Sequence, residues 1–155
     1  MPLYRFQGIP ESIATAARES MTSPQYGHPA YTELATGYGP CRLCLQTFHE
    51  GVDERVLFTY QPFTDPGALP APGPVFIHQR RCERYDGCQL PEALRPLPLA
   101  VEGYGAAGVL LVQRRVGTSA FEAVLERVFE LADVQYAHLR NAEAGCFIAR
   151  IDRGN

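Results

Sequence analysis

The strongest periodic pattern in the chain lies in the segment TSAFEAVLERVFELADV. Apolar residues recur there at intervals of three and four positions, which gives a helix one apolar face. They are Phe121, Val124, Leu125, Val128 and Phe129. Ser119 is followed three residues later by Glu122, a spacing typical of a capping box. The pattern therefore predicts one long amphipathic helix over about 119–132.

Short alternating or wholly apolar runs elsewhere predict β-strands. These runs are 3–6, 55–61, 75–78, 97–104, 108–116, 134–141 and 146–152. A glycine-rich connection at 103–108 and the turn AEAG predict two antiparallel hairpins. A short helix is expected from about Glu11 to Arg18, since Pro10 suits its first turn. The expected fold is α+β: an antiparallel or mixed sheet packed against the long helix, plus the short N-terminal helix.

Two segments rich in proline and glycine, 21–40 and 62–74, show no sustained period. We expect both to be irregular loops within a single domain covering 1–155. Loops of this length in a compact domain are often functional, although the tyrosines of the first one also suit simple anchoring to the body of the domain.

Composition and charge narrow the classes of function. A chain of 155 residues with 46% hydrophobic and 20% charged residues is long enough for one folded core. The net charge of −3 and the pI near 5.8 disfavour nucleic acid as a partner. No apolar run approaches the roughly 20 residues that span a bilayer, and the N-terminal MPLYRFQGIP lacks the apolar core of a secretory signal. Five cysteines, an odd number, in a chain without a secretory signal indicate reduced thiols in a cytoplasmic protein. The lack of a long apolar run disfavours a membrane partner.

The final hairpin predicts which side chains share a face. If Asn141 lies opposite Cys146, alternation places Arg140 across from Phe147 and His138 across from Ala149. A slip of one residue in the register would exchange the two faces, so this assignment depends on the register.

The clearest metal-binding pattern consists of two short arms, Cys41-x2-Cys44 and His78-x3-Cys82. Two thiolates on one arm, and an imidazole and a thiolate on the other, give the ligand types of a closed tetrahedral zinc site. The two arms are far apart along the chain, so the fold must bring them together.

Other interpretations of these residues stay open. A CxxC pair at a helix N-terminus is typical of redox proteins, but no strong strand precedes this one. A cysteine nucleophile would be Cys41, Cys44 or Cys146, paired with His78 or His138. Free cysteines also pack as small hydrophobic residues, and strand arginines often pair with a nearby carboxylate.

Four motifs, GPCRLCL, YQPF, GPVFIHQRRC and YAHLRNAEAGCF, resemble a family of small bacterial proteins catalogued as domain-of-unknown-function family 1203. The resemblance covers roughly Gly39 to Arg153. It implies a soluble, single-domain bacterial protein and supplies no activity. Its motif positions fall on Cys41, Arg42, Cys44, Pro62, Phe63, Gly73, Pro74, Val75, His78, Cys82, Arg140, Asn141, Gly145 and Cys146.

These residues lead to one main hypothesis and two alternatives. The main hypothesis is a small-ligand-binding protein or enzyme, with a pocket that recognises an anionic or polar small molecule. Ligand contacts would come from Arg42, His78, Arg140 and Asn141, and reactivity from Cys41, Cys44, His78 or Cys146. The first alternative is a non-enzymatic structural or interaction domain stabilised by zinc at Cys41, Cys44, His78 and Cys82. The second is a homo-oligomerising domain with buried, unliganded thiols.

Overall fold

The computed structural model describes residues 3–37, 39–63 and 72–154, and these residues form two antiparallel sheets. The elements are β1 (Tyr4–Gln7), α1 (Glu11–Ser20), β2 (Tyr31–Leu34), β3 (Glu54–Tyr60), β4 (Gly73–His78), β5 (Asp86–Gly87), β6 (Leu99–Tyr104), β7 (Leu110–Arg115), α2 (Phe121–Phe129), β8 (Tyr136–Asn141) and β9 (Phe147–Arg153). The larger sheet has the order β5-β1-β9-β8-β6-β7, and the smaller has the order β2-β3-β4.

The expected α+β fold, with a single sheet packed against one long helix, is wrong. In the described part of the chain the architecture is two sheets with two short helices, and α2 covers only Phe121–Phe129 rather than 119–132. Its N-cap is Ala120, which makes no side-chain capping bond, so the expected capping box does not form. The apolar stripe ends at Phe129, and Leu131 is 45% exposed. A longer helix would bury little more apolar surface, and the chain turns toward β8 instead.

Two hydrophobic cores hold the elements together. The first lies between α2 and one face of the larger sheet, where Val101, Leu125 and Leu139 are almost completely buried. The second gathers α1, the turn that carries the CxxC pair and the smaller sheet, around residues such as Leu43 and Ile77. Each fully buried side chain of this size contributes about 1.5–3 kcal/mol. The turn carrying the CxxC pair is therefore held in place by a packed core.

Several strand predictions are confirmed. The hairpins β6–β7 and β8–β9 both form, and β4 ends at His78. Inside 21–40, which was expected to be irregular, β2 pairs with β3. All four residues of β2 are exposed, so no burial pattern marks this strand in the sequence. Of the other predicted loop, residues 64–71 lie outside the described residues.

The register of the last hairpin contains a β-bulge. The backbone N–H of Asn141 donates to the carbonyl of Cys146, and Arg140 pairs with Phe147, as predicted. His138 pairs with Arg150 and not with Ala149, because the register shifts after Leu139. The face that carries Phe147 points toward the smaller sheet, since its ring centroid lies 5.8 Å from that of Tyr60 on β3.

Candidate functional site

Four side chains from the two arms meet in one cluster. The ligand atoms of Cys41, Cys44, His78 and Cys82 all lie within 4.8 Å of one another. Sγ of Cys41 is 3.8 Å from Sγ of Cys82, and Sγ of Cys44 is 3.5 Å from Nδ1 of His78. The fold thus joins the two arms that the sequence left apart.

A tight turn places the first two cysteines side by side. The backbone N–H of Leu45 donates to the carbonyl of Cys41 at 2.8 Å, and that of Cys41 donates to Gln46 at 2.9 Å. Leu45 adopts a left-handed conformation with φ of 61°. Such a conformation costs on the order of 1–3 kcal/mol for a residue other than glycine. The complete burial of the Leu45 side chain in the core offsets this strain and fixes the turn.

His78 is oriented by contacts on three sides. Its backbone N–H donates to Sγ of Cys41 at 3.3 Å, while its ring packs edge-on against Phe48 with centroids 4.7 Å apart. Its Nε2 lies 3.6 Å from Oδ2 of Asp53. A carboxylate on the outer nitrogen of a metal-bound histidine is a common arrangement, because it fixes the ring and its tautomer. Sequence reasoning missed Asp53, which belongs to none of the four motifs.

Charge is unevenly distributed within the cluster. Hydrogen bonds from Cys44 and Cys82 lower the pKa of the Cys41 thiol. The hydrogen bond between Cys41 and Cys44 raises the pKa of the Cys44 thiol. Hydrogen bonding to Cys41 and Cys82 raises the pKa of His78 to about 9. These contacts favour one negatively charged sulfur beside the imidazole. Arg18 lies at the edge of the cluster, with Nη2 3.4 Å from Sγ of Cys82 and Nε donating to the carbonyl of His78 at 2.9 Å.

Two distances in the cluster match those expected between ligands of a tetrahedral metal site with zinc-like bond lengths. Bonds of about 2.3 Å to sulfur and about 2.0 Å to nitrogen place two sulfurs about 3.8 Å apart, and a sulfur and a nitrogen about 3.5 Å apart. The Cys41–Cys82 and Cys44–His78 distances are 3.8 and 3.5 Å. Three cysteine sulfurs and one imidazole nitrogen supply four donor atoms, so the cluster could hold a metal ion and its donor types suit zinc.

A separate cavity of about 430 Å³ lies between the smaller sheet and the turn that joins β8 to β9. Most of its wall is apolar and includes Leu57, Tyr60, Val75, Phe76 and Phe147. Three polar side chains, Arg42, Arg140 and Cys146, also line it. A cavity with apolar walls and a few convergent polar groups is typical of small-molecule sites.

Arg42 connects the cluster to this cavity. It lies between the two cysteines of the CxxC turn, and only 5% of it is exposed. Its Nε donates to the carbonyl of Phe147 at 2.8 Å, Nη1 to that of Pro40 at 2.6 Å, and Nη2 to Sγ of Cys146 at 3.2 Å. Burial lowers the pKa of Arg42. No carboxylate pairs with it in the part of the chain that the structure describes.

Arg140 contributes a second buried guanidinium. Its Nε lies 2.5 Å from Oε1 of Glu102, an ion pair without the alignment of a good hydrogen bond, and its Nη1 donates to the carbonyl of Gly145 at 3.0 Å. Its Nη2 is buried and has no hydrogen-bond partner among the described residues. Glu102 in turn accepts hydrogen bonds from Tyr104 and Gln113, at 2.7 Å each. The guanidinium is therefore fixed by Glu102 and the Gly145 carbonyl and lies close to the Tyr104 hydroxyl, while Nη2 makes no hydrogen bond of its own in the described residues.

The candidate residues fall into two groups and not into one pocket. His78 belongs to the cysteine cluster, whereas Arg42, Arg140 and Cys146 line the cavity. Asn141 shapes the turn, because its Oδ1 accepts hydrogen bonds from the backbone N–H groups of residues 143 and 144. His138 is fully buried outside the cluster, and neither of its ring nitrogens has a hydrogen-bond partner in the described residues.

A family model described as "Protein of unknown function (DUF1203)" matches residues 38–153, which confirms the resemblance carried by the four motifs. No curated protein and no solved structure matches the chain. Within the described residues, no helix has the length and apolar character needed to cross a membrane.

Proposed function

From the premise that this chain belongs to the DUF1203 family, a family of unknown function, we propose that it is a zinc-stabilised protein that binds a small anionic molecule. The zinc half of the proposal depends on one observation: four soft or borderline donor atoms lie within 4.8 Å of one another. Thiolate-rich tetrahedral sets favour zinc over harder divalent ions. With all four positions taken by protein ligands, the ion would be structural.

The position of the cluster indicates what a structural ion would do in this protein. It would tie the CxxC turn to His78 at the end of β4 and to Cys82 in the following loop. Arg42 sits inside that turn and reaches the β8–β9 hairpin. Fixing the turn would therefore also fix one wall of the cavity. We place the protein in the cytoplasm, where thiols stay reduced and available for metal.

Metal analysis of the untagged protein tests the zinc half. We expect about one equivalent of zinc, and unfolding when a strong chelator removes it. The Cys44→Ser variant should lose zinc, whereas Cys88→Ser, which changes an exposed cysteine outside the cluster, should retain it. Cobalt substitution adds a spectroscopic readout, since thiolate ligands give sulfur-to-cobalt charge-transfer absorption. Metal-free protein that folds with unchanged stability would contradict the proposal.

The ligand half depends on the cavity and its two arginines. Arg42 has no carboxylate partner in the described residues, and Nη2 of Arg140 has no acceptor there. Guanidinium groups grip carboxylates and phosphates with paired, charge-assisted hydrogen bonds. The apolar wall suits an organic body attached to that anionic group. We therefore propose a small carboxylate or phosphate ester as the ligand class.

A binding test for this half must allow for the ion pair between Arg140 and Glu102. Removing Arg140 alone would strand a buried carboxylate and destabilise the fold. The comparison is therefore the double variant Glu102→Gln/Arg140→Met against the wild-type protein, since the double variant removes both charges of the buried pair. We expect benzoate, but not neutral benzamide, to bind the wild-type protein, and the double variant to bind benzoate more weakly. Equal binding of benzoate by both proteins would contradict the assignment.

A further inference from the structure

We propose that Cys146 is a covalent ligation site, at which the cavity takes up a small anionic disulfide by thiol–disulfide exchange. This inference rests on the anion-binding half of the proposed function and does not depend on zinc. The reactive atom is the Cys146 sulfur, the reaction partner is a small anionic disulfide, and the step is thiol–disulfide exchange.

The first observation is the position of the Cys146 sulfur. Cys146 lies in the turn before β9, lines the cavity and is partly accessible. Its Sγ is 3.2 Å from Nη2 of Arg42. Two further hydrogen bonds to backbone carbonyls hold the Arg42 guanidinium in place, so it does not need to reorganise during a reaction. A cation fixed beside a sulfur stabilises the negative charge that the sulfur carries when it acts as a nucleophile.

The second observation is independent of the cysteine and points to an anion. Arg140 is 7% exposed, and its Nη2 has no hydrogen-bond partner among the described residues. Its Nη1 donates to the carbonyl of Gly145, the residue directly before Cys146. Arg140 and Cys146 line the same cavity, so an acidic group bound by Arg140 would lie in the cavity that the reactive sulfur lines. A buried donor left without an acceptor costs free energy, and an anionic ligand would satisfy it.

The other cysteines do not share this setting. Cys41, Cys44 and Cys82 belong to the cluster with His78. Cys88 is exposed and does not line the cavity. Cys146 is thus the cysteine that combines partial exposure, a guanidinium contact and a cavity large enough for an organic molecule.

The proposed step balances as an ordinary exchange reaction. The Cys146 sulfur, as thiolate, attacks one sulfur of the disulfide, and the new sulfur–sulfur bond forms as the original one breaks. The departing thiolate takes up the proton that the Cys146 thiol released. The small disulfide is the oxidant: half of it leaves as a thiol, and the other half stays as a mixed disulfide. The apolar wall, which includes Leu57, Val75 and Phe76, would hold the retained half.

The test compares an anionic aromatic disulfide, 5,5′-dithiobis(2-nitrobenzoate), with a neutral one, 2,2′-dithiodipyridine. The full-length protein as isolated is treated for increasing times, and peptide mass spectrometry gives the modified fraction at each cysteine. We expect Cys146 to react with the anionic probe faster than Cys88, which serves as the reference within the same chain. In Glu102→Gln/Arg140→Met, the rate at Cys146 with the anionic probe should fall about tenfold relative to the wild-type protein, with little change for the neutral probe.

Two outcomes would overturn the inference: a rate at Cys146 no higher than that at Cys88, or an equal loss of rate for both probes in the double variant. Benzoate binding, measured separately, distinguishes failure of the covalent step from failure of the anion site. If benzoate binds and Cys146 is inert, the covalent step fails and the anion site stands. If benzoate does not bind and Cys146 shows no anion preference, both fail.

Discussion

The carboxylate Oδ2 of Asp53 lies 3.6 Å from Nε2 of His78, while the other nitrogen of the same ring faces Sγ of Cys44 at 3.5 Å. Asp53 stands directly before β3, and its carboxylate also accepts the backbone N–H of His49 at 2.8 Å. Asp53 therefore contacts Nε2 of the imidazole, and Nδ1 faces the sulfur of Cys44. If the cluster binds a metal, Asp53 would position His78 as a ligand through its contact with Nε2.

Replacing Asp53 by asparagine should weaken zinc binding by about 10–100-fold, because the neutral amide polarises the imidazole less. The asparagine side-chain oxygen can still accept from the N–H of His49, so the turn should survive. Competition with a chromophoric chelator measures the affinity. Glu50→Gln, which neutralises an exposed carboxylate in the same turn, is the matched control and should bind zinc as the wild type does. An affinity unchanged in Asp53→Asn would remove the proposed role.

Replacing Arg42 by lysine should destabilise the fold by about 2–4 kcal/mol, since one ammonium cannot reach the acceptors that three guanidinium nitrogens contact. Urea unfolding with saturating zinc measures the change. Arg114→Lys, on exposed β7, should shift stability by no more than about 0.5 kcal/mol. If the two variants unfold alike, Arg42 does not join the CxxC turn to the last hairpin.

Replacing His138 by phenylalanine should remove part of the acid sensitivity of the fold. Burial, together with the nearby charges of Arg140 and Arg150, keeps the pKa of His138 well below its usual value. The folded protein thus holds His138 neutral, among rings that include Phe63, Tyr104 and Phe147. Phenylalanine fits this aromatic surrounding without a charge to desolvate.

The sign of this effect follows from proton linkage. Below the unfolded pKa, near 6.5, the unfolded chain binds a proton at His138 that the folded chain does not bind, so stability falls as pH decreases. The loss approaches about 1.4 kcal/mol per pH unit for this one group. Unfolding free energies of wild type and His138→Phe, measured between pH 6.5 and 5.5, should diverge in that direction. Parallel curves would show that His138 titrates alike in both states.

Replacing Leu125 by alanine should destabilise the protein by about 2–5 kcal/mol, because the side chain is 1% exposed in the core beneath α2. Glu126→Ala changes the neighbouring exposed position of the same helix and should shift stability by no more than about 0.5 kcal/mol. Thermal unfolding compares the two. A small loss in Leu125→Ala would contradict the packing of α2 on the larger sheet.

Local patterns in the sequence specified individual elements well. The stripe from Phe121 to Phe129 specified α2, and alternation with turn residues specified the hairpins β6–β7 and β8–β9. These signals are local, because burial of one face and turn chemistry act over a few residues. The same patterns missed β2, which has no buried face, and overextended α2 beyond its apolar stripe.

The sequence by itself determined the membership of the family and the chemical types of the site residues: three thiols and an imidazole at metal-binding spacing, and arginines near a cysteine. Only the tertiary structure decided how they are grouped. The tight turn brings Cys41 and Cys44 to the same side as His78, while Arg42 between them contacts Cys146. Contacts between residues far apart in the chain follow from the packing of two cores and from a β-bulge, and neither leaves a periodic mark in the sequence.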